Sequence, residues 1–320
     1  MNIIQSPRII DYCHLLLLGA IWGSTFIAID IAIENLNAIQ VSLFRIFLAA
    51  IVLIPIAFYK KHPFPRDKKI WLYIALTAVL NNAIPFSLIA WGQQHINSST
   101  AAIILACGPF TTLILGHLFT KDERITPMKF LGIVLGFLGV WILFSQELMS
   151  NNDLSFYGKI SIFLASCCYV ISGFLIKKMS HTSPLVCSSC MFMVSTCLLL
   201  PLVFSQPLPS LHSLGSSLYA IIFLALIPTA AASLLRVRLI QKVGMQFISQ
   251  VSFIIPLFAI FWSLLIFNEV PKESTWHAFS LIFVGLLINK IQKKKFTKKF
   301  FFRKIIFLKV FFKEFKIPIM

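Results

Sequence analysis

The chain has 320 residues, of which 58% are hydrophobic and only 12% charged, and its mean hydropathy is +0.88. Ordinary soluble domains carry about 25% charged residues, so a soluble globule is excluded. A helix needs about 20 apolar residues to cross the hydrocarbon core; roughly ten such helices would use up this length and leave no room for a separate catalytic domain. The net charge of +17 is compatible with a nucleic acid, an acidic ligand or an anionic membrane surface, and the positions of the charges must decide among them.

Arg8 is followed by an apolar run over 12–33 that is too long for a signal peptide, lacks a small-residue cleavage site and leads straight into more apolar sequence. It is read as a retained first span. Breaks at charged residues, Pro and Asn delimit nine more, at 38–59, 70–91, 98–119, 128–145, 156–176, 184–204, 216–239, 245–267 and 275–291. Runs of this length are helices, because a barrel would show short alternating strands. The seven cysteines lie mostly inside these runs, as packing residues do, and Cys187-x-x-Cys190 has no second pair or His cluster beside it. No Gly-rich phosphate loop, nucleophile elbow, triad or His pair appears. No enzymatic activity, metal or cofactor is therefore expected.

With the N-terminus placed in the cytoplasm, the 28 Lys and Arg sort with one bias. Only Lys272 falls outside, and Arg45 and Lys159 lie within or at the outer edge of a span. All the others fall inside, among them Arg236, Arg238 and Lys242 at the inner end of the eighth span and eleven basic residues from Lys290 onward. Such alternation through every loop is the positive-inside pattern, and it sets both termini in the cytoplasm.

The chain also repeats itself. Trp22 and Tyr169 are 147 residues apart, as are Pro109 and Pro256; Glu123 and Glu269 are 146 apart, as are Gly139 and Gly285. One offset with a single slip relates two halves of five spans each. Five is odd, so the second half enters from the opposite side, as the charges independently require. The expected fold is therefore an all-α integral membrane protein with ten transmembrane helices in two inverted five-helix repeats. Its parts are a cytoplasmic N-terminus (1–11), a first repeat (12–145), an outer linker (146–155), a second repeat (156–291) and a basic, Phe-rich cytoplasmic tail (292–320). Inverted repeats are typical of secondary transporters, with the site near the midplane between the halves.

Several segments resemble the EamA-type branch of the drug/metabolite transporter superfamily. They are Gly19-Ala-Ile-Trp-Gly-Ser-Thr-Phe26, Arg45-Ile-Phe-Leu-Ala-Ala50, Gly108-Pro109-Phe110, Asp122-Glu-Arg-Ile-Thr126 and Ile255-Pro-Leu257 through Asn268-Glu269. The doubled acid Asp122-Glu123 departs from a strict register with Glu269. The resemblance covers residues 12–291 and implies a ten-helix carrier of small metabolites, including amino acids. The expected function is thus secondary transport of an amino-acid-like or amphiphilic solute across the inner membrane by alternating access. A membrane-embedded enzyme or a non-transporting receptor is the alternative.

Arg45 lies seven residues inside the second span, about 10 Å from its outer end at 1.5 Å per residue, where a cation needs a partner. Asp30 and Glu34 are the nearest acids in sequence, and the pairing would either fix helix packing or act as a gate. Asn81 and Asn82, three residues before Pro85, form the most polar mid-span break; they face a cavity or serve as glue between helices. By the repeat offset they correspond to Pro228 and Thr229. Trp22 and Tyr169 would stack on a solute or simply pack. Thr25, Thr100, Ser172 and Gln250 add polar faces for the same cavity. Gly132, Gly136 and Gly139 mark a close helix contact, within the protomer or in a homodimer. The tail interleaves its basic residues with Phe, which suits the anionic inner leaflet better than nucleic acid.

Overall fold

The fold is that of a computed structural model of the chain, which describes residues 6–119, 127–150, 153–207, 209–210, 214–268 and 270–291. Helix occupies each of the ten predicted stretches, with no strand among the described residues. In chain order the helices are α1 (Ile9–Ile33), α2 (Ala38–Tyr59), α3 (Lys68–Ala78), α4 (Ile84–Gln93), α5 (Ser98–Leu105), α6 (Gly108–Phe119), α7 (Pro127–Ser150), α8 (Asp153–Lys178), α9 (Pro184–Phe204), α10 (Gly215–Leu224), α11 (Ala232–Val243), α12 (Met245–Ile248), α13 (Ile255–Phe267) and α14 (Glu273–Ile291). Among the described residues, seven spans are long and apolar enough to cross a membrane: 9–33, 38–59, 68–93, 98–115, 153–178, 184–204 and 215–243. Phe130–Ile142 and Ile255–Phe267 are shorter apolar helices. Asp122, Glu123, Glu269 and the tail over 292–320 lie outside the described residues.

Local chemistry sets the ends. Asn37 caps α2, accepting from the amides of Ile39 and Gln40, while the Gln40 side chain accepts from the Asn37 amide. Asn97 caps α5 through the Thr100 amide. These reciprocal bonds satisfy amides that have no partner within the helix. Asn268 ends α13 in the left-handed region at φ 53°, and Gly244 turns the chain between α11 and α12 at φ 95°, a conformation glycine adopts without cost.

Four expected spans are not continuous helices. Between α3 and α4 the backbone widens into a π turn over Val79–Ala83, where the Ile84 amide reaches five residues back to the Val79 carbonyl. A second π turn over Ala225–Ala231 joins α10 to α11, with the Ala232 amide bonded to the Ile227 carbonyl. Breaks also separate α5 from α6 and, through a 3-10 stretch over Ser249–Phe253, α12 from α13. Proline is the cause: Pro85, Pro109 and Pro256 sit in the first turn after three of the breaks and Pro228 lies inside the second π turn. Each removes a backbone donor and crowds the carbonyl four residues before it.

The bundle is apolar outside and mixed inside. Large apolar side chains such as Phe58, Trp141, Phe204 and Leu265 face outward, while Asn82, Ser172, Ser188, Ser195 and Thr229 are fully buried. The first-half helices pack on those of the second half: α1 on α13 and α10, α2 on α9, α4 on α8 and α7 on α14. Small residues allow the close approaches. A methyl group on Gly23 would meet Phe258 and the Ala259 amide, and one on Gly92 would meet the Gly158 carbonyl. The glycine face of α7 (Gly132, Gly136, Gly139) is likewise filled from within the chain, by Phe110 and by Ala278, Ile282 and Gly285 of α14.

Near the start of α1, Asp11 accepts from the Lys242 ammonium of α11 at 2.6 Å and from the Arg8 amide at 2.9 Å. Lys242 remains partly exposed, so the pair is worth about 1 kcal/mol or less. Lys242→Ala is therefore expected to lower the melting temperature only slightly, as measured on detergent-solubilised protein. A large loss would mean that this contact holds the two helices together.

Candidate functional site

The four helix breaks converge on one place. A helix interrupted in the membrane leaves backbone groups that only buried polar partners or a water-filled cavity can satisfy. Pro85, Pro109 and Pro256 deny the usual amide partner to the carbonyls of Asn81, Leu105 and Ser252, and all three of these residues line a central cavity of about 160 Å³. Ser166 of α8 supplies the missing donor to Leu105, at 3.1 Å. The Trp22 indole N–H of α1 donates to the Pro228 carbonyl in the second π turn at 3.4 Å.

The walls come from the first, second, third, fourth, sixth, eighth and ninth spans. Trp22, Phe26, Phe86 and Tyr169 give them aromatic faces, and Thr25, Ser166, Ser233, Ser249 and Ser252 add hydroxyls. Two guanidinium groups, Arg45 and Arg236, complete the lining, which among the described residues contains no Asp or Glu. Arg45 is 3% exposed; its Nε donates to Thr229 Oγ1 at 3.0 Å, and its carbon Cζ lies 3.9 Å from the centre of the Phe86 ring. Such a cation–π contact is favourable in a desolvated setting.

Arg236 is held by a relay that begins at the first π turn. Its Nη1 donates to Asn81 Oδ1 at 2.6 Å and its Nη2 to the Tyr169 carbonyl at 3.5 Å. Ser172 donates to the same Asn81 oxygen at 3.0 Å, and Asn81 Nδ2 donates to Asn82 Oδ1 at 2.8 Å. Asn82 passes the chain to Ser195 at 3.2 Å, and Ser195 donates to the Ala78 carbonyl at 2.9 Å, at the start of the π turn. Polar side chains that would be costly alone in hydrocarbon thus satisfy one another.

An EamA-like transporter family model matches the chain twice, over residues 10–145 and 156–290. The chain belongs to the EamA-like transporter family. This EamA-like chain is 31% identical over 152 residues to an uncharacterized transporter in the trpA 3′ region of Buchnera aphidicola subsp. Schlechtendalia chinensis, covering 47% of this chain and about half (49%) of that relative's length. It is 20% identical over 271 residues to the uncharacterized transporter YoaV of Bacillus subtilis, covering 84% of this chain and 92% of YoaV. With the uncharacterized inner membrane transporter YedA of Escherichia coli it shares 23% over 279 residues, covering 86% and 89%. A solved crystal structure superposes with a TM-score of 0.66 at 13% identity, covering 91% of this chain and all of that one, a likeness of fold. The chain is a multi-pass membrane protein of a transporter family.

In this EamA-like chain, Trp22, Thr25, Asn81 and Tyr169 reach the cavity, together with Arg45. Asn82, Ser172 and Thr229 stand behind it as supports for Asn81 and Arg45. Thr100 lies in the capped first turn of α5 and does not line the cavity, nor does Gln250, whose neighbours Ser249 and Val251 do. The proposed pairing of Arg45 with Asp30 or Glu34 is not what forms. Gln93 donates to Asp30 at 2.5 Å and Ser98 donates to its other oxygen, while Ser216 donates to Glu34 at 3.4 Å. Arg45 instead points to the π turn of the eighth span.

Arg236 corrects the sequence reading further. The charge pattern counts it with the cytoplasmic residues at the inner end of the eighth span, but α11 continues to Val243 and Arg236 lines the cavity. The available signal was the apolar spacing of Leu239, Ile240 and Val243, which carries the buried face of the helix beyond the arginine.

Proposed function

We propose that this protein is a secondary transporter of the inner membrane that moves a small metabolite through the central cavity by alternating access. In this reading ten spans form two inverted five-helix repeats, both termini are cytoplasmic, and the basic tail contacts anionic lipid. The observation that carries the reading is the cavity itself, built where prolines break helices at matching positions of both halves. The break before Pro109 recurs before Pro256 and the π turn at Asn81 recurs around Pro228, at the 147-residue offset. The two family matches over 10–145 and 156–290 support the division into repeats, and a relative named as an inner membrane transporter supports the location. Discontinuous helices around a midplane site are how carriers expose backbone and side-chain polarity to a solute while the two halves rock.

The test is counterflow in proteoliposomes, with lumenal solute driving uptake of the same solute in labelled form. Saturable, protein-dependent exchange of at least one small metabolite is expected, and no exchange across a broad metabolite panel would overturn the reading. Filling the cavity with Thr25→Trp is expected to reduce exchange at least about tenfold while the protein still reconstitutes, because the site has little spare volume. Undiminished exchange would move the solute path elsewhere.

A further inference from the structure

We propose that the cavity selects a small organic anion, carrying carboxylate or phosphate, held between Arg45 and Arg236; this rests on reading the cavity as the solute site. The charge inventory comes first. Among the described residues, two guanidinium groups line the cavity and no carboxylate does. The acids closest to Arg45 in sequence, Asp30 and Glu34, bond to Gln93, Ser98 and Ser216, and Asp11 bonds to Lys242. A cation taken out of water with only neutral neighbours is held at considerable cost, and an anionic occupant offsets that cost.

The geometry of Arg45 points the same way. Nε is anchored on Thr229 and the guanidinium carbon lies over the Phe86 ring, 3.9 Å from its centre. Among the described residues its two terminal nitrogens have no hydrogen-bond partner, although the side chain is almost wholly buried. That leaves the outer edge of a rigid fork free, the edge that matches two oxygens of a carboxylate or phosphate. Arg236 is oriented by the Asn81 relay and adds a second positive charge. The remaining walls, Trp22, Phe86 and Tyr169, suit an apolar or unsaturated body. An ammonium group would find no carboxylate here and two like charges, so amino acids and amines are disfavoured relative to acids of similar shape.

The experiment measures uptake by the full chain in phosphatidylcholine vesicles, which carry no net lipid charge. The probes are phenylpyruvate, succinate and phosphoenolpyruvate as anions, phenylalanine as zwitterion and phenethylamine as cation. At least one anion is expected to enter while phenylalanine and phenethylamine do not. Arg45→Gln and Arg236→Gln should each cut anion uptake about tenfold or more, the loss of a charge-assisted contact, with Arg45→Lys retaining part of it. To keep the test independent of how well a variant reconstitutes, the wild-type protein is also melted with each probe, and the anions alone should raise its melting temperature. Uptake of phenylalanine or phenethylamine without any anion overturns the inference and leaves the transporter reading standing. So does equal stabilisation by all probes, or anion uptake by both Gln variants at the wild-type rate. A site that takes a lipid headgroup would give uptake of none of the anions, and uptake of no probe at all counts against both readings.

Discussion

Gly285→Leu is expected to remove most of the folded protein from the membrane. A Cβ at this position would lie 2.5 Å from the Gly132 carbonyl oxygen and 3.0 Å from the Gly136 amide. Both are backbone atoms of α7, so no rotamer change relieves the clash and α14 must back away. In lipid these two helices are held by close packing, with no hydrophobic driving force between them, and separation forfeits contacts along the whole seam. Phe110, which fills the space beside Gly136, would lose its seat as well. The cost is about 3 kcal/mol or more, a large share of the stability of an ordinary domain. Abundance and elution profile in detergent are the readouts. A glycine with space around it supplies the contrast: at Gly215 a methyl group meets nothing within 4 Å, but φ is +47°, so Gly215→Ala should cost only the conformational penalty of about 1 kcal/mol. If Gly285→Leu accumulates and melts like wild type, the α7–α14 seam is looser than its geometry implies.

Asn81→Leu is expected to be the most damaging change at the cavity that leaves both arginines in place. It deprives Arg236 of its 2.6 Å acceptor, Ser172 of one of its two acceptors and Asn82 of a donor. A hydrogen bond to a charged group is worth about 1.5–3 kcal/mol and an unmet buried partner costs a comparable amount, so a lower melting temperature and at least tenfold slower exchange should appear together. Asn81→Asp separates the two effects. Its carboxylate restores an acceptor and pairs with Arg236, so the fold should persist, but the cavity loses half of its positive charge and anion uptake should fall. Full exchange by both variants would mean that Arg236 needs no orientation from the first π turn.

One of the four helix breaks, at Asn81-Asn82 before Pro85, was legible in the sequence because proline acts on its own neighbourhood. A missing amide and a ring that crowds the carbonyl four residues back do not depend on the rest of the fold, so Asn81-Asn82 with Pro85 mark a cavity-facing segment in advance, whereas Pro109 and Pro256 showed in the sequence only as a pair at the repeat offset and their breaks emerged in the structure. Trp22 and Tyr169 were found through the repeat offset, and both line the cavity. Arg45 was recognisable as a buried cation in need of partners. Its partners were not, since Thr229 lies 184 residues away and nothing local favours it over Asp30. Arg236 is counted by the charge pattern with the cytoplasmic residues because it shares seven positions with Arg238 and Lys242, and hydropathy averages do not report which face of a helix turns inward.

What the sequence determined by itself was the class of protein and the rhythm of its chain. Lipid offers the backbone no hydrogen bonds, so each crossing needs a long apolar helix, and the positive residues sort to one side. Which charges face the centre was decided only by the tertiary structure. A buried guanidinium is stabilised by groups that arrive from other helices, here Thr229 and Phe86 for Arg45 and Asn81 for Arg236. Those meetings follow from how α2 and α4 and the two π turns pack, a matter of contact between distant segments rather than of composition along any one of them.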